Sequence, residues 1–181
     1  ILAGITLQFK KSKQIFALDS GMVNFNNRDL KLTNVIIRSE KNKLKLNGEL
    51  NNFMNWLKKE NEKLIISGKL NADVVYAEEL LAMINENTKD ELSHNSPEID
   101  QTFKITELLK LDLTIDLKQL KWDKFIADDL TGSIKLNSGK IFSDKLQFKT
   151  CEGLVELSGF CETRVEKILV MGTAQLNGIN I

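Results

Sequence analysis

Leu111-Asp112-Leu113-Thr114-Ile115-Asp116-Leu117 is the stretch that decides how this chain folds. Every second residue is apolar and each residue between is polar or charged. In an extended strand that spacing puts the apolar set on one face and the polar set on the other. The rhythm recurs in Ile5-Leu7-Phe9, Val23-Phe25, Leu44-Leu46, Ile134-Leu136, Leu146-Phe148 and Val155-Leu157. Strands with one dry and one wet face belong to antiparallel sheets. The long apolar strands and regular helices of a parallel βαβ fold are missing. Short polar links stand between the runs: Asn26–Asp29, Glu40–Asn42, Asn137–Gly139 and Cys151–Gly153. Asn, Asp and Gly tolerate the left-handed backbone of hairpin turns, so a meander is the simplest topology. The fold class expected is mainly β: antiparallel meander sheet(s) of two related repeats, as a curved trough or a sandwich, with two short helices.

Those helices come from two segments that break the rhythm. Phe53, Trp56 and Leu57 fall at i, i+3 and i+4, which predicts a short amphipathic helix capped by Asn51 or Asn52. Leu80, Leu81 and Ile84 predict a second over Tyr76–Ile84. Asn85–Asp100 is rich in Asn, Glu, Ser and Asp and holds the only Pro (Pro97) and the only His (His94). Such a stretch buries too little apolar area to order itself and reads as a linker. The division is therefore a first β-unit over 1–84, a polar linker over 85–101 and a second β-unit over 102–181.

The two units resemble each other. Gly21–Leu50 slides onto Gly132–Cys161 without a gap, a shift of 111 residues. Gly21 then meets Gly132, Asn26 meets Asn137 and Gly48 meets Gly159, and the apolar positions coincide. Alternation alone explains the apolar matches but not the glycines. Lys63–Gly68 also echoes Lys167–Gly172. Each half reads as about four strands. The first residue is Ile, and the last falls where the first unit ran on into its second helix. The expectation is two repeats cut from a longer protein.

Composition narrows the function. The chain has 181 residues, 25 Lys+Arg against 25 Asp+Glu, two Cys and one His. A neutral chain has no summed positive field to recruit nucleic acid. Two Cys and one His cannot build a four-ligand zinc site, and no cofactor or metal is expected. No G-x-S-x-G elbow is present, and Gly139-Lys140 lacks the earlier glycine of a P-loop. Asp128 and Asp129 are adjacent, so on a strand they face apart and make a poor acid–base pair. Cys151 and Cys161 end one strand about 30 Å apart at 3.3 Å per residue, against the 7 Å or so that a disulfide allows. Trp122 reads as an edge or core anchor and His94 as solvated. No catalytic residue is expected, so the chain is read as a non-enzyme.

Leu130-Thr131-Gly132-Ser133-Ile134-Lys135-Leu136, Gly139, Gly153 and Leu157-Ser158-Gly159 together resemble the C-terminal repeat of AsmA-type envelope proteins. Leu32-Thr33-Asn34-Val35 and Leu46-Asn47-Gly48-Glu49-Leu50 resemble the preceding unit. TamB and bridge-like lipid-transfer proteins share the style. The resemblance implies a long antiparallel sheet curled into an apolar trough. It also implies a periplasmic location, an inner-membrane anchor outside this sequence, and a role in outer-membrane assembly or phospholipid movement. It carries over no catalytic residue.

A one-faced sheet must cover its apolar face. Each buried Leu or Phe is worth roughly 1.5–3 kcal/mol, and two short helices are too small to cover some eight strands. The candidates for a lipid-facing surface are Val23, Phe25, Leu44, Leu46, Ile134, Leu136, Leu146, Phe148, Val155 and Leu157. Either they line a groove for lipid tails or they close on a second sheet as a core. The partners expected are a phospholipid or another lipid, or, as the alternative, an envelope protein bound to a structural or adhesion scaffold through its sheet edges.

Overall fold

A computed structural model describes residues 5–8, 15–58, 62–79, 109–162 and 169–179. Ten strands form one sheet in strict sequence order, β1 to β10. They are β1 (Ile5–Gln8), β2 (Ile15–Asn26), β3 (Asp29–Arg38), β4 (Lys43–Asn51), β5 (Leu64–Tyr76), β6 (Leu109–Trp122), β7 (Phe125–Asn137), β8 (Lys140–Thr150), β9 (Gly153–Glu162) and β10 (Leu169–Asn177). A short helix, α1 (Phe53–Leu57), joins β4 to β5, and a helical turn starts at Ala77–Glu79. The sheet is open and mostly antiparallel. A sandwich needs two sheets, and the described strands form one.

Three expectations need correction. Neighbours pair antiparallel except β5 and β6, which run parallel from Leu64↔Leu109 to Tyr76↔Lys121. A meander cannot make that junction, because the chain must return the length of β5 before starting β6. The halves are therefore hydrogen-bonded to each other within one sheet, with five strands each rather than four. Tyr76 ends β5 instead of opening a helix. Asn52 does stand at the N-cap of α1, but its side chain makes no cap bond. Its amide N–H donates to Asp29 Oδ1 at 2.9 Å and its Nδ2 to the Lys63 carbonyl at 3.2 Å. Leu80, Leu81, Ile84 and the 85–101 linker with His94 and Pro97 lie outside the described residues.

The hairpins follow the sequence signals. Ser138 and Gly139 link β7 to β8 with φ of 50° and 71°. Cys151 and Glu152 link β8 to β9 with φ of 46° and 64°. Two successive positive φ values in a two-residue loop are the type I′ arrangement, whose twist suits a hairpin. Irregularities also recur at the 111-residue spacing. β3–β4 pairing slips between Leu32 and Val35, and β8–β9 pairing slips between Ser143 and Leu146. Gly21 and Gly132 hold φ of 141° and 146°.

Register sorts the side chains. Directly paired residues share a face. From Phe25↔Leu30, Val35↔Leu46 and Leu46↔Leu70 the apolar face runs through Leu70↔Ile115 and Ile115↔Gly132. It continues through Gly132↔Leu146 and Leu146↔Leu157 to Leu157↔Ala174. No Asp, Glu, Lys or Arg of the described residues in β2–β10 falls on that face. The ion pairs cross the other one: Lys31–Glu49, Lys69–Asp116, Lys118–Asp73 and Lys135–Asp144 are examples, at 2.5–3.5 Å.

Candidate functional site: an apolar face with one packed and one open end

All ten residues named from the sequence lie on this one face. Val23 and Phe25 are on β2, and Leu44 and Leu46 on β4. Ile134 and Leu136 are on β7, Leu146 and Phe148 on β8, and Val155 and Leu157 on β9. Leu136, Phe148 and Val155 are buried. Phe25 is 57% exposed. The other six are half-buried. The face is therefore neither uniformly covered nor uniformly open.

One end is packed. Val75, Ile115, Leu117, Ala127, Leu130, Phe148 and Val155 form a buried cluster. Most of them sit where β5, β6 and β8 end and β7 and β9 begin. Phe125 meets Phe148 edge-on at 5.9 Å between ring centroids, and Ile179 packs against the cluster from beyond β10. Trp122 pairs with Phe125 on this face and stays 55% exposed, so it is an edge residue. Two acidic residues past β5 tie this end together. Glu78 Oε1 accepts the Asp123 N–H of the β6–β7 turn at 2.6 Å. Glu79 Oε2 accepts the Ser39 hydroxyl at 2.9 Å and also bonds Asn42. Asn42, 2% exposed, accepts the Tyr76 N–H at 2.8 Å and donates to the Tyr76 carbonyl at 3.2 Å. A buried amide so paired fixes the β3–β4 turn to the end of β5.

At the other end Leu64 and Leu136 are buried where β5 begins and β7 ends, and the face opens over β7–β10. A groove of about 560 Å³ runs over β7–β10, with Ile134, Ile141, Leu146, Leu157, Cys161 and Val170 among its walls. That volume is in the range of small-molecule sites. Gly159 and Gly172 face each other across its floor. A Cβ on Gly159 would overlap the Met171 carbonyl oxygen and Gly172 Cα, so glycine lets β9 and β10 approach closely. Gly48 and Gly68 make the same pair between β4 and β5. Ser143 brings the groove a hydroxyl whose oxygen is buried without a hydrogen-bond partner. Cys161 is half-buried in the groove, whereas Cys151 is exposed in the β8–β9 turn; both are free thiols.

Sequence reasoning missed Ile141, Ser143, Cys161, Val170, Gly172 and Ala174 as groove residues. Ile141 and Cys161 keep the alternation and were within reach of it. β10 (Leu169–Asn177) has no charged residue, so its polar face had no marker.

Asp128 and Asp129 have separate partners. Gln119 Nε2 donates to Asp128 at 2.7 Å, and Lys149 pairs with Asp129 at 2.9 Å. Their carboxylates serve strand pairing. No group of His, Cys, Asp or Glu that could hold a metal occurs among the described residues, and none of their helices is long and apolar enough to cross a membrane. Comparison with protein-family models, curated proteins and solved structures found no match.

Proposed function

We propose that this chain is a non-enzymatic stretch of a repeating β-trough whose apolar face holds lipid acyl tails. The carrying observation is the segregation of charge. Nine strands present a face without a single ionisable carboxylate or amine, while ion pairs line the opposite face. A soluble sheet gains nothing from leaving so much apolar surface uncovered. Acyl chains would cover it without asking for any polar partner.

Two further observations support the reading. The pairing slips, left-handed glycines and glycine pairs recur between the halves, which fits two repeats of one five-strand unit. Bulges and close glycine contacts add twist and curvature to a sheet, which fits a trough. The packed end would close the trough at the β5–β9 cluster and leave the β7–β10 groove as the seat for a tail. The resemblance of β7–β9 to AsmA-type repeats supports a periplasmic setting for such a segment, in outer-membrane assembly or phospholipid transport.

Native mass spectrometry of the gently purified chain tests this. A bound phospholipid or fatty acid is expected, and Ala174→Trp, which fills the groove from an exposed position, should remove it while the circular dichroism spectrum stays unchanged. A parent protein free of lipid that also takes up none from vesicles would overturn the reading.

A further inference from the structure

Ser143 holds a hydroxyl that the fold itself does not use. It stands on β8 just before the pairing slip that ends at Leu146. Within that slip Asp144 and Lys145 reach outward to ion pairs with Lys135 and Glu156, at 2.7 and 3.1 Å. A bulge of this kind re-aims the side chain beside it. Ser143 pairs with Gly159, and Gly159 with Gly172, so all three share the apolar face. The hydroxyl therefore overlooks a floor of two glycines. Leu146, Leu157 and Ala174 stand on one side of that floor, and Ile141, Cys161 and Val170 on the other. The Ser143 oxygen is shut off from solvent and has no hydrogen-bond partner, and among the described residues no other buried side-chain oxygen or nitrogen is left so.

The first half shows that the sheet does not require a hydroxyl at this place. At the 111-residue spacing the counterpart of Ser143 is Leu32, which pairs with Gly48, and Gly48 pairs with Gly68. The same row of one side chain and two glycines thus takes an aliphatic residue there. A buried hydroxyl without a partner costs free energy that a leucine does not. In the second half that hydroxyl lies in the wall of an open groove, where an acceptor on a ligand removes the cost.

We propose that Ser143 donates a hydrogen bond to an ester carbonyl oxygen of an acyl chain seated between these walls; the inference rests on the lipid reading and names the polar group which that reading leaves open. An ester fits the groove better than a carboxylate does. No described residue lining it carries a charge, and an ion among apolar walls without a counter-ion is far costlier than a neutral carbonyl. A bare alkyl chain leaves the hydroxyl unmet. The groove thus selects esterified acyl chains over free fatty acids, with any charged head group outside it.

Displacement of the neutral dye Nile red from the full chain tests this, with methyl decanoate, decanoate and undecane as the probes. Methyl decanoate should displace the dye at a concentration at least about ten-fold below that of decanoate. Ser143→Ala should weaken methyl decanoate about three- to ten-fold, the effect of one hydrogen bond, and leave undecane unchanged. Because the hydroxyl has no partner within the protein, the lipid-free variant should unfold at a urea concentration no lower than the parent does. Undiminished ester binding by Ser143→Ala, an equal loss of ester and undecane, decanoate bound as tightly as the ester, or a lowered urea midpoint would overturn the proposal while the lipid reading stands. If no probe displaces the dye and none binds directly, the lipid reading fails and this proposal with it.

Discussion

Asn42 and the paired glycines show how much of the architecture rests on single residues. The Asn42 side chain meets both the N–H and the carbonyl of Tyr76, and the site is almost closed to water. Asn42→Leu leaves those two groups buried without partners, at about 1–3 kcal/mol each. A urea midpoint shifted down by that total, with faster exchange of the Tyr76 amide, is the expected outcome. Gly159→Ala acts differently. It forces a Cβ into the Met171 carbonyl at a backbone φ of 152°, so β9 and β10 must part, at a cost of about 2–4 kcal/mol. Equilibrium unfolding of the variant measures it. Neither effect could be read beforehand. Asn42 looked like one more turn residue, because its partner Tyr76 lies 34 positions away. The glycines were visible as a repeated signal, but their facing each other depends on strand pairing.

The strands were largely legible because their period and the turn residues agree. Leu111–Leu117 named its own face, and the same rule placed all ten candidate residues together. What escaped was the β5–β6 junction. A parallel pair leaves no local trace, since the residues that join the strands need obey no hairpin rule. β10 escaped for another reason: without charges, its two faces look alike. The outer face has its own prediction. The Lys118 ammonium, hydrogen-bonded to Asp73, holds that carboxyl below its usual range, and Asp73 raises Lys118 in turn. Asp144 and Asp129 likewise raise Lys135 and Lys149. The lowered carboxyl contributes stability above the ordinary carboxylate range and loses it as pH falls through its folded pKa. The raised lysines contribute below the ordinary lysine range and lose it as pH climbs through theirs. Stability should therefore hold level across neutral pH and decline at both extremes. These groups are exposed, so both declines should be shallow and shrink in salt. Urea midpoints at pH values of about 3, 7 and 11, with and without salt, check it.

At the scale of the whole molecule the sheet divides its work along the strands. One end is a packed cluster that holds the halves together, and the other is an apolar groove open at the edge of β10. The balanced charge of the sequence belongs to this division, because in the described residues of β2–β10 the charged side chains keep to one face. The lipid reading meets its most direct test at the two thiols, which sit at opposite ends of β9. Cys161 lines the groove and Cys151 lies exposed in the turn. Maleimide labelling followed by mass spectrometry, with and without phospholipid vesicles, compares them in one molecule. The account predicts that lipid slows Cys161 at least about ten-fold, as occupancy of a buried site requires, while Cys151 reacts at its unliganded rate. Equal rates at both thiols under saturating lipid would contradict it.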